Sequence, residues 1–201
     1  MSTRFVYLAS LSPRRRELLQ QMGVPFQVVE VDTDESPLPA EAADAYVSRL
    51  AAAKAAAGWR ATRDLGFDSR PAPVLGADTA VVLGEAILGK PTDRQHAERM
   101  LADLSGRTHR VLTAVAICTD SGVQSRLSRS EVTFRRIDAV ERAAYWDTGE
   151  PADKAGAYAI QGFAAVFIAD LRGSYSGVMG LPIFETAELL DAADVPRWRG
   201  A

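Results

Sequence analysis

The run PVLGADTAVVL, residues 73–83, constrains the fold more than any other stretch of this chain. Only Asp78 and Thr79 break an otherwise apolar segment, and it lacks the alternation of a strand with one wet face. It reads as a strand buried on both faces, which needs elements packed against it. The rest of the chain supplies them. RFVYLAS, PFQVVEV, THRVLTAVAICT and SEVTFRRI read as further strands, the last two joined through a turn near Asp120–Gly122. GEAILGKP reads as a hairpin return. Helical patterns alternate with these strands. LSPRRRELLQQMG has Ser12 as N-cap, Pro13 at the first helical position and Gly23 as stop. AADAYVSRLAAAKAAAG takes Asp44 as cap, TDRQHAERMLADLSG takes Thr92 with Gly106 as stop, and DAVERAAYWDTG takes Asp138 with Gly149 as stop. PIFETAELLDAA opens at Pro182. The expectation is an α/β protein, a mixed sheet with flanking helices. The glycine-punctuated segment 155–182 is expected to hold short strands and backbone that approaches a ligand closely. Residues 58–73 are expected to form a loop of variable length, and no function is assigned to it.

Composition bounds the class. The 201 residues are 47% hydrophobic and 24% charged, as a chain that buries a real core requires. A net charge of −3 argues against general nucleic-acid binding. No apolar run approaches the roughly 18 residues of a membrane span, and RFVYLAS is too short for a secretion signal. The single Cys118 excludes an intramolecular disulfide and a cysteine metal cluster, and its apolar surroundings make it a buried thiol. The expected address is the cytoplasm.

Several residues ask for a chemical explanation. Arg14, Arg15 and Arg16 fill the first turn of a helix, where each cation costs roughly 0.3–1 kcal/mol against the helix dipole. An anion at that turn reverses the sign, because guanidinium forks and free N–H groups then converge on it. Phosphate is the obvious anion, with Ser10 able to add a hydroxyl; the alternative is a solvated basic turn. Asp78 inside VLGADTAVVL is costly to bury without a partner. A cation, a metal or a catalytic role explains it, as does capping of a nearby turn. DTDES, residues 32–36, offers carboxylates that suit Mg²⁺ or Mn²⁺, or forms a plain acidic surface loop. Lys54 falls on the apolar stripe of its helix, so it snorkels or points into a polar cleft. Lys90 in LGKP is held between a glycine and a proline, a fixed position for a phosphate contact or a solvated turn lysine. Gln161, read within an apolar strand in YAIQG, needs partners. Its amide matches the imide edge of uracil or thymine, unless backbone satisfies it. His96 is expected to be exposed in mid-helix, and His109 to pack or cap at a strand start.

LASLSPRRRELL, VLGADTAVVL, LGKP, LSGRTHRVLTAV, DKAGAYAIQG and GSYSGVMGLPIFETAELL together resemble the Maf family of nucleotide pyrophosphatases, in order, from about Tyr7 to Leu190. The resemblance implies a single domain over residues 1–201, with an elongated fold similar to ITPase-like pyrophosphatases and two lobes around one active-site cleft. It implies hydrolysis of nucleoside triphosphates to monophosphate and pyrophosphate with a divalent cation, Mg²⁺ or Mn²⁺. Asp78 carries over as general base, and Ser10, Arg14, Arg15, Lys54 and Lys90 as phosphate contacts. Glu35 carries over as a metal or water contact, so that Glu35 and Asp78 form the metal set. Arg14, Thr79 and Gln161 match the positions that distinguish a dTTP/UTP branch from an m7GTP branch. SPRR, ADT and IQG match the first. The implied partner is a small nucleotide, with no stable nucleic acid, no membrane and a homodimer. The competing readings are the m7GTP-type enzyme and a nonenzymatic nucleotide- or RNA-binding module.

Overall fold

A computed structural model describes residues 5–64 and 72–198. The strands are β1 (Val6–Leu8), β2 (Phe26–Val28), β3 (Val74–Leu83), β4 (Ala86–Leu88), β5 (Thr108–Thr119), β6 (Gly122–Phe134) and β7 (Ile168–Arg172). The α-helices are α1 (Pro13–Gln21), α2 (Ala43–Asp64), α3 (Arg94–Leu104), α4 (Ala139–Asp147), α5 (Tyr175–Met179) and α6 (Ile183–Ala192). Among the described residues the strands form one sheet in the order β2-β1-β3-β5-β6-β7, with β4 paired to β3. β1 runs parallel to β2 and β3, while the β3–β4 and β6–β7 pairs are antiparallel. The sheet is therefore mixed and the class α/β, as expected.

The chain divides into two compact units. The first holds the described residues through Asp78, Thr113–Ser128, and those from Gly180 onward; the second holds Thr79–Leu112 and Arg129–Met179.

The part of β3 in the first unit, through Asp78, is buried throughout, as its nearly unbroken apolar run predicts. Gly76 is the reason α2 can lie against it. A Cβ at Gly76 would stand 2.5 Å from both the Ala51 carbonyl oxygen and the Ala55 nitrogen. The small, fully buried Ala51 and Ala55 complete that close approach. Gly58 does the same further along: its missing Cβ would meet Val74 Cγ1 at 2.8 Å. Gly58 therefore packs inside the helix and does not end it. α2 continues to Asp64, against the expectation of a loop from residue 58; residues 65–71 of that stretch lie outside the described residues. Asp44 lies in the first turn of α2 and is not its cap.

The second unit has its own core. His109, Phe134 and Tyr158 meet edge to face, with ring centroids 4.9–5.4 Å apart. Met100, Leu101 and Leu104 of α3 pack on them, and Tyr145 of α4 meets Phe167 at 5.3 Å. Asp138 caps α4 in a full capping box with Glu141. Asp93, and not Thr92, caps α3, accepting the His96 amide at 2.7 Å. An aspartate at the β-region residue reaches the third amide better placed than the threonine one step earlier. His96 is consequently in the first turn and half-buried, with Nδ1 accepting the Thr92 amide at 3.2 Å. It is neither mid-helical nor exposed. β6 begins at Gly122, eight residues before the expected strand, because the turn after β5 takes only Asp120 and Ser121. Between residues 155 and 182 only β7 is a strand; Ala155–Ala157 and Phe163–Phe167 are short 3₁₀ turns.

Candidate active site

Asp78 is the last residue of the first unit and is 8% exposed. Residues two apart on a strand share a face, so Asp78 points to the side on which Gly76 admits α2. Lys54, on the packed stripe of α2, reaches it there: Nζ donates to Asp78 Oδ1 at 2.7 Å. The same ammonium lies 2.5 Å from Glu35 Oε1. One half-buried cation thus holds a buried and an exposed carboxylate. The open alternative for Lys54 resolves toward a polar site and away from snorkelling.

Arg15 completes the cluster. Its Nε donates to the Gly180 carbonyl at 2.8 Å, and its Nη1 donates to Ser10 Oγ at 3.1 Å. Gly180 turns its carbonyl there from φ +120°, a conformation that favours glycine. Ser10 Oγ also accepts the Ser12 amide at 3.3 Å. Ser12 has the backbone of an N-cap, but its own side chain makes no capping bond. Of the three arginines at the start of α1, Arg15 makes these inward contacts; Arg14 and Arg15 are both half-buried and Arg16 is exposed. The cationic first turn is accordingly part of a charged site and not a uniformly solvated face.

The electrostatics of the cluster follow from burial. Burial raises the Asp78 carboxyl above its ordinary 3.8, and Glu35 adds to this, while Lys54 and Arg15 oppose it. Burial lowers the Arg15 guanidinium, with the Asp78 charge pulling back and Arg14 adding to the lowering. A carboxylate raised in this way is a stronger proton acceptor than a solvated one.

The loop that carries Glu35 is fastened to α2 by residues that sequence reasoning missed. Tyr46 Oη donates to the Glu35 carbonyl at 2.9 Å. Arg49 donates Nη2 to the Ser36 carbonyl at 3.1 Å and grips Glu41 with Nε and Nη2 at 2.6 and 2.7 Å. Glu41 in turn accepts the Leu38 amide at 3.0 Å. The available signal was Tyr46 and Arg49 three residues apart, on one face of a helix that follows an acidic loop.

Glu35 and Asp78 converge on one positive charge, which suits a Mg²⁺-type ion held by one or two carboxylates plus substrate phosphate oxygens. The donor set fits such an ion. Among the described residues no cluster of three or more His, Cys, Asp or Glu side chains is placed to cage a metal by itself.

The remaining predicted residues belong to the second unit. Thr79 follows Asp78 in β3 and is half-buried. Lys90 is exposed beside a cavity of 310 Å³ that His96, Arg99 and Asp103 also line. Gln161 is exposed in a turn and not in an apolar strand, so burial places no demand on its amide. No helix among the described residues is long and apolar enough to cross a membrane. Cys118 is buried, as expected.

Comparison with known proteins adds an independent line. A family model described as Maf-like protein matches residues 5–193. This chain is similar to a dTTP/UTP pyrophosphatase of Aromatoleum aromaticum, 53% identical over 95% of this chain and 96% of that protein. It is 51% identical to a dTTP/UTP pyrophosphatase of Saccharophagus degradans over 96% of this chain and 91% of that protein. A protein of the same description from Alkalilimnicola ehrlichii is 52% identical, over 94% and 93% of the two chains.

Proposed function

We propose, from the premise that this chain belongs to the Maf-like protein family, that it hydrolyses dTTP and UTP to the monophosphate and pyrophosphate. The observation that supports the chemistry is the Lys54-centred cluster: a buried, raised carboxylate, a second carboxylate beside it, and Arg15 fixed on a backbone carbonyl. The names of the relatives support the choice of substrate.

The charges argue for a triphosphate. A nucleoside triphosphate carries about four negative charges near neutral pH, the last phosphate proton leaving near pH 6. Arg14, Arg15 and Lys54 set three positive charges against Glu35 and Asp78. A divalent cation, Mg²⁺ or Mn²⁺, held by Glu35 and Asp78, would bring two further positive charges and acidify bound water. Arg15 and Lys54 hold phosphate oxygens and stabilise the charge that grows on the departing pyrophosphate. Asp78 accepts the proton of the attacking water. The water oxygen bonds to the α-phosphorus, the bond from that phosphorus to its bridging oxygen breaks, and pyrophosphate leaves with the electron pair. With Glu35 and Asp78 holding such a cation, Lys54 would be free to contact the phosphates.

Ser10 and Lys90 add phosphate contacts in this reading. Arg14, Thr79 and Gln161 set the base preference, with the Gln161 amide offering both a donor and an acceptor to the imide edge of the pyrimidine. The exposure of Gln161 leaves that amide open to a ligand. A cytoplasmic address suits a nucleotide substrate and a lone buried thiol, and a homodimer is the expected assembly. Product analysis with dTTP, UTP, CTP, GTP and m7GTP tests the reading. Pyrophosphate from dTTP and UTP is expected. Pyrophosphate mainly from m7GTP would overturn the base assignment, and none from any nucleotide would overturn the reaction.

A further inference from the structure

Gln161 lies in an exposed turn, and an exposed amide selects a base well only if its backbone is already ordered, because ordering on binding costs affinity. In the second unit two residues hold this turn from both sides. The Tyr145 hydroxyl, from α4, donates to Glu150 Oε1 at 2.7 Å. Before Gln161 in the chain, the Ala159 amide donates to Tyr145 Oη at 3.3 Å. After it, the Phe163 amide donates to Glu150 Oε2 at 3.0 Å and the Ala164 amide to Glu150 Oε1 at 3.2 Å. The turn closes on itself between these anchors, with the Gly162 amide on the Ala159 carbonyl at 3.0 Å. A Cβ at Gly162 would run into the Glu150 carboxylate, so a side chain there would push that anchor away.

Glu150 is half-buried, and its carboxylate accepts from three neutral donors: one hydroxyl and two amides. A carboxylate used in this way makes stronger hydrogen bonds than a neutral acceptor would. Burial and the Glu150 carboxylate both push the Tyr145 hydroxyl up from its ordinary 10.0, so it stays a donor at every working pH. The anchors embrace the two neighbours of Gln161, Ile160 and Gly162, and leave the Gln161 side chain outside.

We infer that Tyr145 and Glu150 are positioning residues for base selection: together they fix the Ala159–Ala164 turn, so that Gln161 presents its amide to the pyrimidine in one orientation. This rests on the proposed reading of Gln161 as the base contact. The effect belongs to the base end of the substrate and not to its phosphates.

The test compares Tyr145→Phe, Glu150→Gln and Glu150→Ala with the parent protein, each shown to be folded by circular dichroism and thermal melting. The probes are UTP and GTP as substrates, and UMP and pyrophosphate as product inhibitors. kcat/KM for UTP is expected to fall about tenfold, carried by KM, with the UTP-to-GTP preference shrinking in step. UMP inhibition weakens by a similar factor and pyrophosphate inhibition does not. Glu150→Gln, which keeps the shape, is expected to lose less than Glu150→Ala. Folded variants that keep UMP inhibition and the UTP preference would overturn the inference, as would equal weakening of UMP and pyrophosphate. A parent protein that releases no pyrophosphate from any nucleotide would instead remove the functional reading beneath it.

Discussion

Lys54 reaches Asp78 at 2.7 Å because Gly76, two residues before Asp78 on the same face of β3, has no side chain to keep α2 away. The contact that organises the site is therefore set by packing between a helix and a strand. Gly76→Ala drives a methyl into the Ala51 carbonyl and the Ala55 nitrogen, backbone atoms that cannot swing aside. Overpacking of this kind costs about 1–3 kcal/mol. The expected result is a lower melting temperature together with a large loss of turnover, read by calorimetry and a pyrophosphate assay. Unchanged turnover would separate the helix position from the chemistry.

Asp78→Asn removes the proton acceptor, and turnover is expected to fall by about 10²–10⁴. Stability moves the other way. The folded protein holds the Asp78 proton more tightly than the unfolded chain does, because burial raises the carboxyl from 3.8. That contribution is present below the unfolded value and is lost as pH rises through the folded one. The ionised Asp78 therefore weakens the fold at neutral pH. Asp78→Asn is expected to melt above the parent at pH 8, with the gap closing toward pH 4. A variant that melts lower at pH 8 would contradict this balance.

Arg49 acts on the site through the loop that carries Glu35. Its guanidinium holds the Glu41 carboxyl down to about 2, so the pair stays charged across any assay range. Arg49→Lys loses the two-pronged grip on Glu41 and the contact to the Ser36 carbonyl. The expected readout is a shift of about tenfold in the Mg²⁺ concentration needed for half-maximal activity, the scale on which supporting contacts act on ligands. Saturating Mg²⁺ restores the rate. Loss of rate at saturating metal would assign Arg49 a different part.

His109 sets an acid limit on the second unit. Burial lowers it from 6.5 to about 4, so the folded protein resists a proton that the unfolded chain takes up. Stability is lost as pH falls from 6.5 toward 4, by about 3 kcal/mol at most for this group. His109→Gln is expected to flatten that part of the curve in urea melts at pH 7.5, 5.5 and 4.5. A parallel curve for the variant would remove His109 as the cause.

The elements with unbroken patterns were legible in the sequence. β3 declared its burial through ten nearly uninterrupted apolar residues, and α4 declared its start through Asp138 and Glu141. The arginine-led turn of α1 and the lone carboxylate of β3 pointed to the charged site because each is unfavourable alone. What the sequence did not show depends on the third dimension. Gly58 looks like a stop, yet tight packing on Val74 makes it a helix residue. Gln161 looks like part of a strand because its neighbours are apolar, but Glu150 and Tyr145, from an earlier part of the chain, fold that segment into a turn. Tyr46 and Arg49 reach the Glu35 loop by holding the backbone carbonyls of Glu35 and Ser36, and a carbonyl leaves no mark in a sequence.

The most direct measurement is hydrolysis of dTTP in water enriched in ¹⁸O, with both products examined by mass spectrometry. Attack on the α-phosphorus predicts one heavy oxygen in the thymidine monophosphate and none in the pyrophosphate. Label in the pyrophosphate, or release of orthophosphate, would place the attack elsewhere and contradict the account.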